Sequence, residues 1–159
     1  MKEIILNTTV GVCKYEELTP ADCKLVDAAR KATDSSYAPY SHFNVGAAAM
    51  LTNGEIITGS NQENAAYPSG LCAERTALFS AGTRFPEQAV TAIAIAARNE
   101  QGELPRPISP CGACRQVMLE TESRHSQVMR IILYGKECCY IIEGGAKDLL
   151  PISFDANYL

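Results

Sequence analysis

Two stretches, Cys72-Ala73-Glu74-Arg75 and Pro110-Cys111-Gly112-Ala113-Cys114, set three thiols and one carboxyl at the openings of two helix-patterned segments. Thiolates hold a borderline-soft cation such as zinc, and a carboxylate not spent as a ligand can move protons. Cys111 and Cys114 stand at i and i+3, which share one face of a helix and can chelate one ion. Cys72 completes a set of three. Three protein ligands with an open fourth position is the catalytic pattern for zinc, whereas structural sites close with four. A fourth ligand from Cys138, Cys139, His42 or His125 would turn the reading toward a structural site. On its own a C-x-x-C pair is as readily a redox couple or half of a structural zinc site. Glu74, beside Cys72, is the residue that favours metal-assisted hydrolysis.

Within a helix Cys72 and Glu74 point roughly 200° apart. Both reach one centre only if it lies off the helix N-terminus, close to the axis. The starts of both motif helices then face the metal, and the positive ends of their dipoles lower the thiolate pKa values. Arg75 is the nearest cation in sequence to offset the accumulated negative charge; otherwise it reads as an exposed helix residue. Asn61 and Glu63 share a face at the end of a strand pattern, where an amide and a carboxylate together suit sugar hydroxyl groups.

The elements that must position these groups follow from the pattern of the chain. Thr19-Pro20-Ala21-Asp22 is a helix start, with Thr19 as N-cap and Pro20 in the first helical position, and the helix runs to about Asp34. Phe43, Val45 and Ala47 alternate into a strand ending near Thr52. Asn53-Gly54 predicts a type I′ hairpin, with residues 55–61 returning antiparallel. The helix of the first motif starts near Leu71 and stops around Gly82, read as its C-terminal cap. Residues 90–97 are almost wholly apolar, a strand buried on both faces. The second motif helix extends to about Glu122. Residues 130–134 and 139–143 are strands too close in sequence for a parallel crossover, so as neighbours they are antiparallel. Residues 146–150 form a short helix, and Pro151 releases a tail with Phe154 and Tyr158. Residues 1–18 are expected to be an N-terminal extension, an added edge strand or arm, before a catalytic domain at 19–159.

Composition narrows the class. A chain of 159 residues with 47% hydrophobic content supports one complete core. The net charge of −4 excludes a dedicated nucleic-acid binder, which needs a basic surface. Ile4 to Leu6 is too short for a signal-peptide core and no apolar run approaches about 18 residues, so no membrane association and a cytoplasmic location are expected. Seven cysteines form an odd set, which weakens a disulfide reading; Cys138 and Cys139 sit in an apolar segment and read as small core residues.

Several stretches together resemble the small, homotetrameric cytidine deaminases. They are residues 61–68, Asn-Gln-Glu-Asn-Ala-Ala-Tyr-Pro; residues 72–77, Cys-Ala-Glu-Arg-Thr-Ala; and residues 110–116, Pro-Cys-Gly-Ala-Cys-Arg-Gln. Tyr40-Ser41-His42-Phe43, Val45-Gly46-Ala47, Leu149-Leu150-Pro151 and Ser153-Phe154 extend the likeness from about residue 35 to 155. A cysteine as first ligand, where the wider superfamily has histidine, points to the all-cysteine branch. The resemblance implies a three-layer α/β/α fold around a mixed five-stranded sheet. It implies one zinc per chain on Cys72, Cys111 and Cys114, and Glu74 shuttling protons as activated water adds to C4 of a pyrimidine. It further implies Asn61 and Glu63 on the ribose, Phe43 as an aromatic wall, and the Ala73 N–H reading the 2-carbonyl. Arg75 and Gln116 match partners of the thiolates. Phe154 matches a ring that crosses into a neighbouring subunit to stack on the base, and Tyr67 belongs to the same inter-subunit surface. Residues 1–18, the Pro-rich stretch before Pro110 and residues 122–129 have no counterpart in the pattern.

The expected activity is hydrolytic deamination of cytidine and 2′-deoxycytidine with release of ammonia, in pyrimidine salvage. Three other readings stand beside it, of which an editing deaminase on RNA or DNA is disfavoured by the acidic balance and by the expected hairpin between the last strands. A deaminase for a modified cytosine nucleoside of the blasticidin S type shares the cysteine and glutamate motifs, and a zinc-stabilised binding module without catalysis would leave Glu74 without a purpose.

Overall fold

The computed structural model describes residues 1–159. One sheet organises it, with strands β1 (Gly11–Cys13), β2 (Asn44–Leu51), β3 (Ile56–Ser60), β4 (Val90–Asn99), β5 (Gly102–Glu103), β6 (Arg130–Tyr134) and β7 (Cys139–Ile142). The order is β1-β7-β6-β4-β2-β3, with β5 paired to β4. Only β4 and β6 run parallel. The sheet is therefore mixed as expected, but it holds seven strands rather than five. The two additions are the short β1 and β5, and β1 pairs with β7 antiparallel, Gly11 opposite Ile141 and Cys13 opposite Cys139.

Helices cover both faces. Side chains of a strand alternate between faces, so neighbours in β2 divide between two cores. Ala48, with Ala94, Ala96 and Ile132, packs against Leu25, Val26 and Ala29 of α1 (Pro20–Ala32). Ala47, Ala49 and Leu51, with Ile93, Ile95 and Ile131, pack on the opposite side. There they meet Ala77 and Leu78 of α2 (Ala73–Arg84) and Met118 and Leu119 of α3 (Gly112–His125). β4 serves both cores, which is why its sequence is nearly all apolar. No helix is long and apolar enough to cross a membrane.

Local signals mostly act as read. The Thr19 hydroxyl accepts from Asp22 N at 3.2 Å, capping α1. β2 and β3 are antiparallel, as are β6 and β7. The hairpin between β2 and β3 differs in turn type: only Gly54 has positive φ, at 84°. Gly54 N bonds Leu51 O, and Leu51 N bonds Glu55 O, each at 2.9 Å. That is a three-residue loop closed by a left-handed glycine, which needs one positive φ where type I′ needs two. Gly82 is not a cap. It lies inside α2, which continues to Arg84, and a Cβ there would approach an Arg124 nitrogen to 3.3 Å. Its small size serves helix packing.

Candidate active site

Both halves of the cysteine motif sit at helix N-termini on the same side of the sheet. Cys72 is the N-cap of α2 and Cys111 the N-cap of α3. Gly59 of β3 lets the first turn of α2 lie directly on the sheet: a Cβ there would fall 2.4 Å from Ala77 N and 2.5 Å from Ala73 O. Glu74 follows in that turn and is buried, at 4% exposure. Ala73 opens α2 and is fully buried, so its N–H, without an intrahelical acceptor, faces the same region as the cap residue.

The Sγ atoms of Cys72, Cys111 and Cys114 all lie within 4.8 Å of one another. Cys72 to Cys111 is 3.8 Å and Cys111 to Cys114 is 3.5 Å. Thiolates at about 2.3 Å from a tetrahedral zinc are about 3.8 Å apart, so these separations are close to what the ion requires. Neither Cys138, Cys139, His42 nor His125 joins the group. Cys139 is fully buried at the β7 end of the sheet, where burial first and then neighbouring thiols push it up to about 11, consistent with a core residue. One zinc per chain is the complement this cluster holds.

Charge at the cluster is uneven. The Cys114 thiol beside it and the Arg75 guanidinium hold Cys72 down to about 5, against some opposing desolvation. Cys114 is shifted upward by the same contact and by its own burial. Glu74 is raised above the ordinary carboxylate range, chiefly by burial and then by the Cys72 charge. Arg75 is half-buried and donates from Nη2 to Cys72 Sγ at 3.5 Å, while its Nε is buried without a partner. The exposed-residue reading of Arg75 does not hold, because its head is drawn to the thiolate.

A cleft of about 510 Å³ runs from Cys72 and Arg75 to Tyr40, Asn61, Glu63 and Tyr67. Glu63 accepts from Tyr40 N at 2.9 Å and Ser41 N at 3.2 Å, both on Oε2. Hydrogen bonds from Ser41 and Tyr40 keep its carboxyl below the usual range. Asn61 Oδ1 accepts from Ser36 Oγ and from Val45 N, and its Nδ2 donates to Phe43 O at 2.9 Å. Asn61 thus ties the loop before β2 to the end of β3. Phe43 is half-buried just ahead of β2 and does not line the cleft. Tyr67 is 77% exposed and Phe154 59% exposed; the Phe154 ring stacks on Tyr158 at 5.7 Å.

Gln116 sits differently from expectation, and Arg115 and Tyr40 make contacts that the sequence did not assign. Gln116 does not bond a thiolate: its Nε2 donates to Phe154 O at 2.9 Å, since the second turn of α3 faces the C-terminal tail. Arg115, to which the sequence reading gave no role, braces the Cys111 loop. It donates to Pro110 O, Leu149 O and Ser109 Oγ at 2.8 to 2.9 Å. Its place inside the Cys111 to Gln116 motif was the available signal. Tyr40, also unassigned, supplies both a wall of the cleft and an N–H to Glu63.

Comparison with known proteins agrees with this geometry. A cytidine deaminase of Sporosarcina psychrophila is 46% identical over 139 residues, covering 86% of this chain and 93% of that protein. The crystal structure of a cytidine deaminase from Burkholderia pseudomallei superposes with a TM-score of 0.69 at 39% identity, covering 86% of this chain and all of that one. A blasticidin-S deaminase of Bacillus cereus is more distant, 26% identical across 91% of this chain and 99% of its own length. The family profile for the cytidine and deoxycytidylate deaminase zinc-binding region matches residues 19–130, which span both cysteine motifs and the strands between them. With three thiols at zinc spacing and a buried glutamate on the same helix turn, the chain belongs to that zinc-binding deaminase family.

Proposed function

We propose that this protein hydrolyses cytidine and 2′-deoxycytidine to the corresponding uridines with release of ammonia. The observation that carries the reading is the convergence of Cys72, Cys111 and Cys114 on one centre beside a buried Glu74 that is not needed as a ligand. Zinc bound there supplies Lewis acidity that makes water a nucleophile near neutral pH. Cys72, Cys111 and Cys114 hold the ion, and Arg75 offsets the charge of the thiolates. Glu74 takes one proton from the incoming water and gives it to N3 of the pyrimidine as the water oxygen bonds C4. It then takes the remaining hydroxyl proton and gives it to the C4 amine, so that the C4–N bond breaks, ammonia leaves and the C4 carbonyl forms. Its raised pKa, caused by burial, suits a group that must accept and release protons in one cycle. The Ala73 N–H addresses the 2-carbonyl. Glu63 receives the sugar hydroxyls on Oε1, because its Oε2 is already committed to Tyr40 and Ser41. Asn61 exchanges its Ser36 bond for a sugar hydroxyl while still holding Val45 and Phe43.

The catalytic domain comprises residues 19–159, with residues 1–18 an appended strand and arm. The enzyme works as a homotetramer in the cytoplasm, in pyrimidine salvage, with sites shared between subunits. The exposure of Tyr67 and Phe154 supports sharing, because large aromatic rings gain from burial that one chain does not provide. Phe43 supports the wall of the base pocket from the start of β2, and Gln116 holds the Phe154 backbone.

Ammonia release from cytidine, deoxycytidine and blasticidin S, compared at equal enzyme, tests the assignment. Turnover of the two plain nucleosides well above that of blasticidin S is the expected result. Preference for blasticidin S would shift the substrate to the modified nucleoside, and no turnover of any of the three would leave only a zinc-stabilised binding module.

A further inference from the structure

Residues 1–10 are all exposed, carry Ile4, Ile5, Leu6 and Val10, and take no part in either core. They are nonetheless tethered at three levels. β1 joins the sheet edge immediately after them. Thr8 Oγ1 donates to the carbonyl of Asp148, in α4 (Ala146–Leu149), at 2.7 Å. Beyond that, Ile4 and Leu6 line a groove of about 410 Å³ together with Pro151, Ile152 and Tyr158.

Pro151, Ile152 and Tyr158 belong to the C-terminal tail that carries Phe154. After Leu150 its own backbone bonds are only local, Tyr158 N to Asp155 O and Leu159 N to Ala156 O. From the inner side it is held by Gln116, which donates to Phe154 O, while Arg115 donates to Leu149 O at the end of α4, just ahead of the tail. Tyr158, which lines the groove together with Ile4 and Leu6, stacks on Phe154 with rings 14° from parallel. Arm and tail thus border one groove, and Phe154 rests on a tail residue of that groove. A segment with so few bonds of its own takes its conformation from whatever lies on either side of it.

We propose that the N-terminal arm, residues 1–10, is a positioning segment for the tail, and that through Tyr158 it sets where Phe154 is presented. The arm then governs substrate affinity and leaves the chemical step alone, because ordering the tail in advance removes that cost from binding. The consequence for affinity rests on the reading of Phe154 as a base-stacking residue; the contact between arm and tail does not.

The test compares the full chain with a variant lacking residues 1–9, which keeps β1, and with Thr8→Val. Amide hydrogen exchange at residues 148–159 and steady-state kinetics on cytidine are measured on each zinc-loaded protein. Truncation should speed exchange at Tyr158 and Leu159 and raise KM about threefold to tenfold, the range one or two lost polar contacts produce, at unchanged kcat and zinc content. Thr8→Val should move both readouts the same way by less. Adding Phe154→Ala to the truncation should raise KM no further than Phe154→Ala alone. Unchanged exchange in the truncated protein would overturn the proposal whatever the kinetics. Faster exchange with unchanged KM, where Phe154→Ala in the full chain does raise KM, would also overturn it. If Phe154→Ala leaves KM unaltered, the base-stacking reading has failed, and the exchange data alone uphold or overturn the hold of the arm on the tail.

Discussion

The cysteine cluster and the C-terminal tail are built on opposite terms. Cys72, Glu74 and Cys114 belong to helices α2 and α3, pressed onto the sheet by Ala77, Leu78, Met118 and Leu119, all nearly inaccessible. Phe154 belongs to a segment held by the Gln116 bond to its carbonyl, and the residue is more than half exposed. Metal binding and proton transfer need atoms fixed to a fraction of an ångström, which a packed core supplies. Recognition of a ring by stacking tolerates a mobile partner and can draw it from another chain. The three thiols and Glu74 are thus all supplied by packed elements of one chain, whereas Phe154 stands largely in the open.

The sharpest way to break this contrast is at Glu74. Glu74→Gln keeps the shape and a hydrogen-bonding oxygen but cannot carry a proton, so kcat should fall by about 10²- to 10⁴-fold with zinc retained. A variant with near-parental kcat would show that the proton moves through another group. Gly59→Ala strikes the packing beneath the same helix. A methyl group 2.4 Å from Ala77 N must push α2 off the sheet, and the protein should lose about 1–3 kcal/mol in urea unfolding together with part of its activity. Stability equal to the parent would mean that the first turn of α2 is not seated by that contact.

On the other side of the comparison, Phe154→Ala should raise KM for cytidine about tenfold at similar kcat, the worth of one aromatic contact. Mixed with Glu74→Gln, it should recover affinity in hybrid oligomers, because some sites then draw Glu74 and Phe154 from different parental chains. Hybrids without recovery would place Phe154 over its own site or away from any.

How much of this was legible in the sequence follows the same division. Cys72, Glu74, Cys111 and Cys114 could be read because their chemistry is concentrated in short contiguous motifs, and the hydrophobic alternation of β2 and β4 announced the layers that carry them. β5 was not legible as a sheet member, and β1 was legible as an edge strand or arm but not as the partner of β7, since strands of two and three residues carry almost no periodicity and their pairing is set by tertiary contact. Gly82 was misread because a glycine late in a helix looks the same whether it caps the helix or admits a neighbour such as Arg124. Gln116 was placed on the thiolates by its motif, whereas its direction depends on where the tail returns.

Glu122 shows a similar limit and offers the gentlest test. Sequence placed it merely at a helix end, yet it is 8% exposed and its Oε1 accepts from Met129 N and Ala146 N, closing the connection that follows α3. Burial raises its pKa above the ordinary carboxylate range. Its contribution to stability is therefore full below the unfolded pKa, about 4.3, and declines as pH rises through the folded value. Glu122→Gln retains the acceptor and removes the buried charge, so its Tm should match the parent at pH 4 and exceed it modestly at pH 7. A Tm lower than the parent at pH 7 would show that the carboxylate charge itself is needed there.

The central claim is that three thiolates and one open position make the metal centre. Zinc-edge X-ray absorption on the purified protein examines it directly. The expected spectrum contains three sulfur scatterers at about 2.3 Å and one oxygen or nitrogen at about 2.0 Å, from one zinc per chain. Four sulfur scatterers, or a protein that binds no zinc, would contradict it.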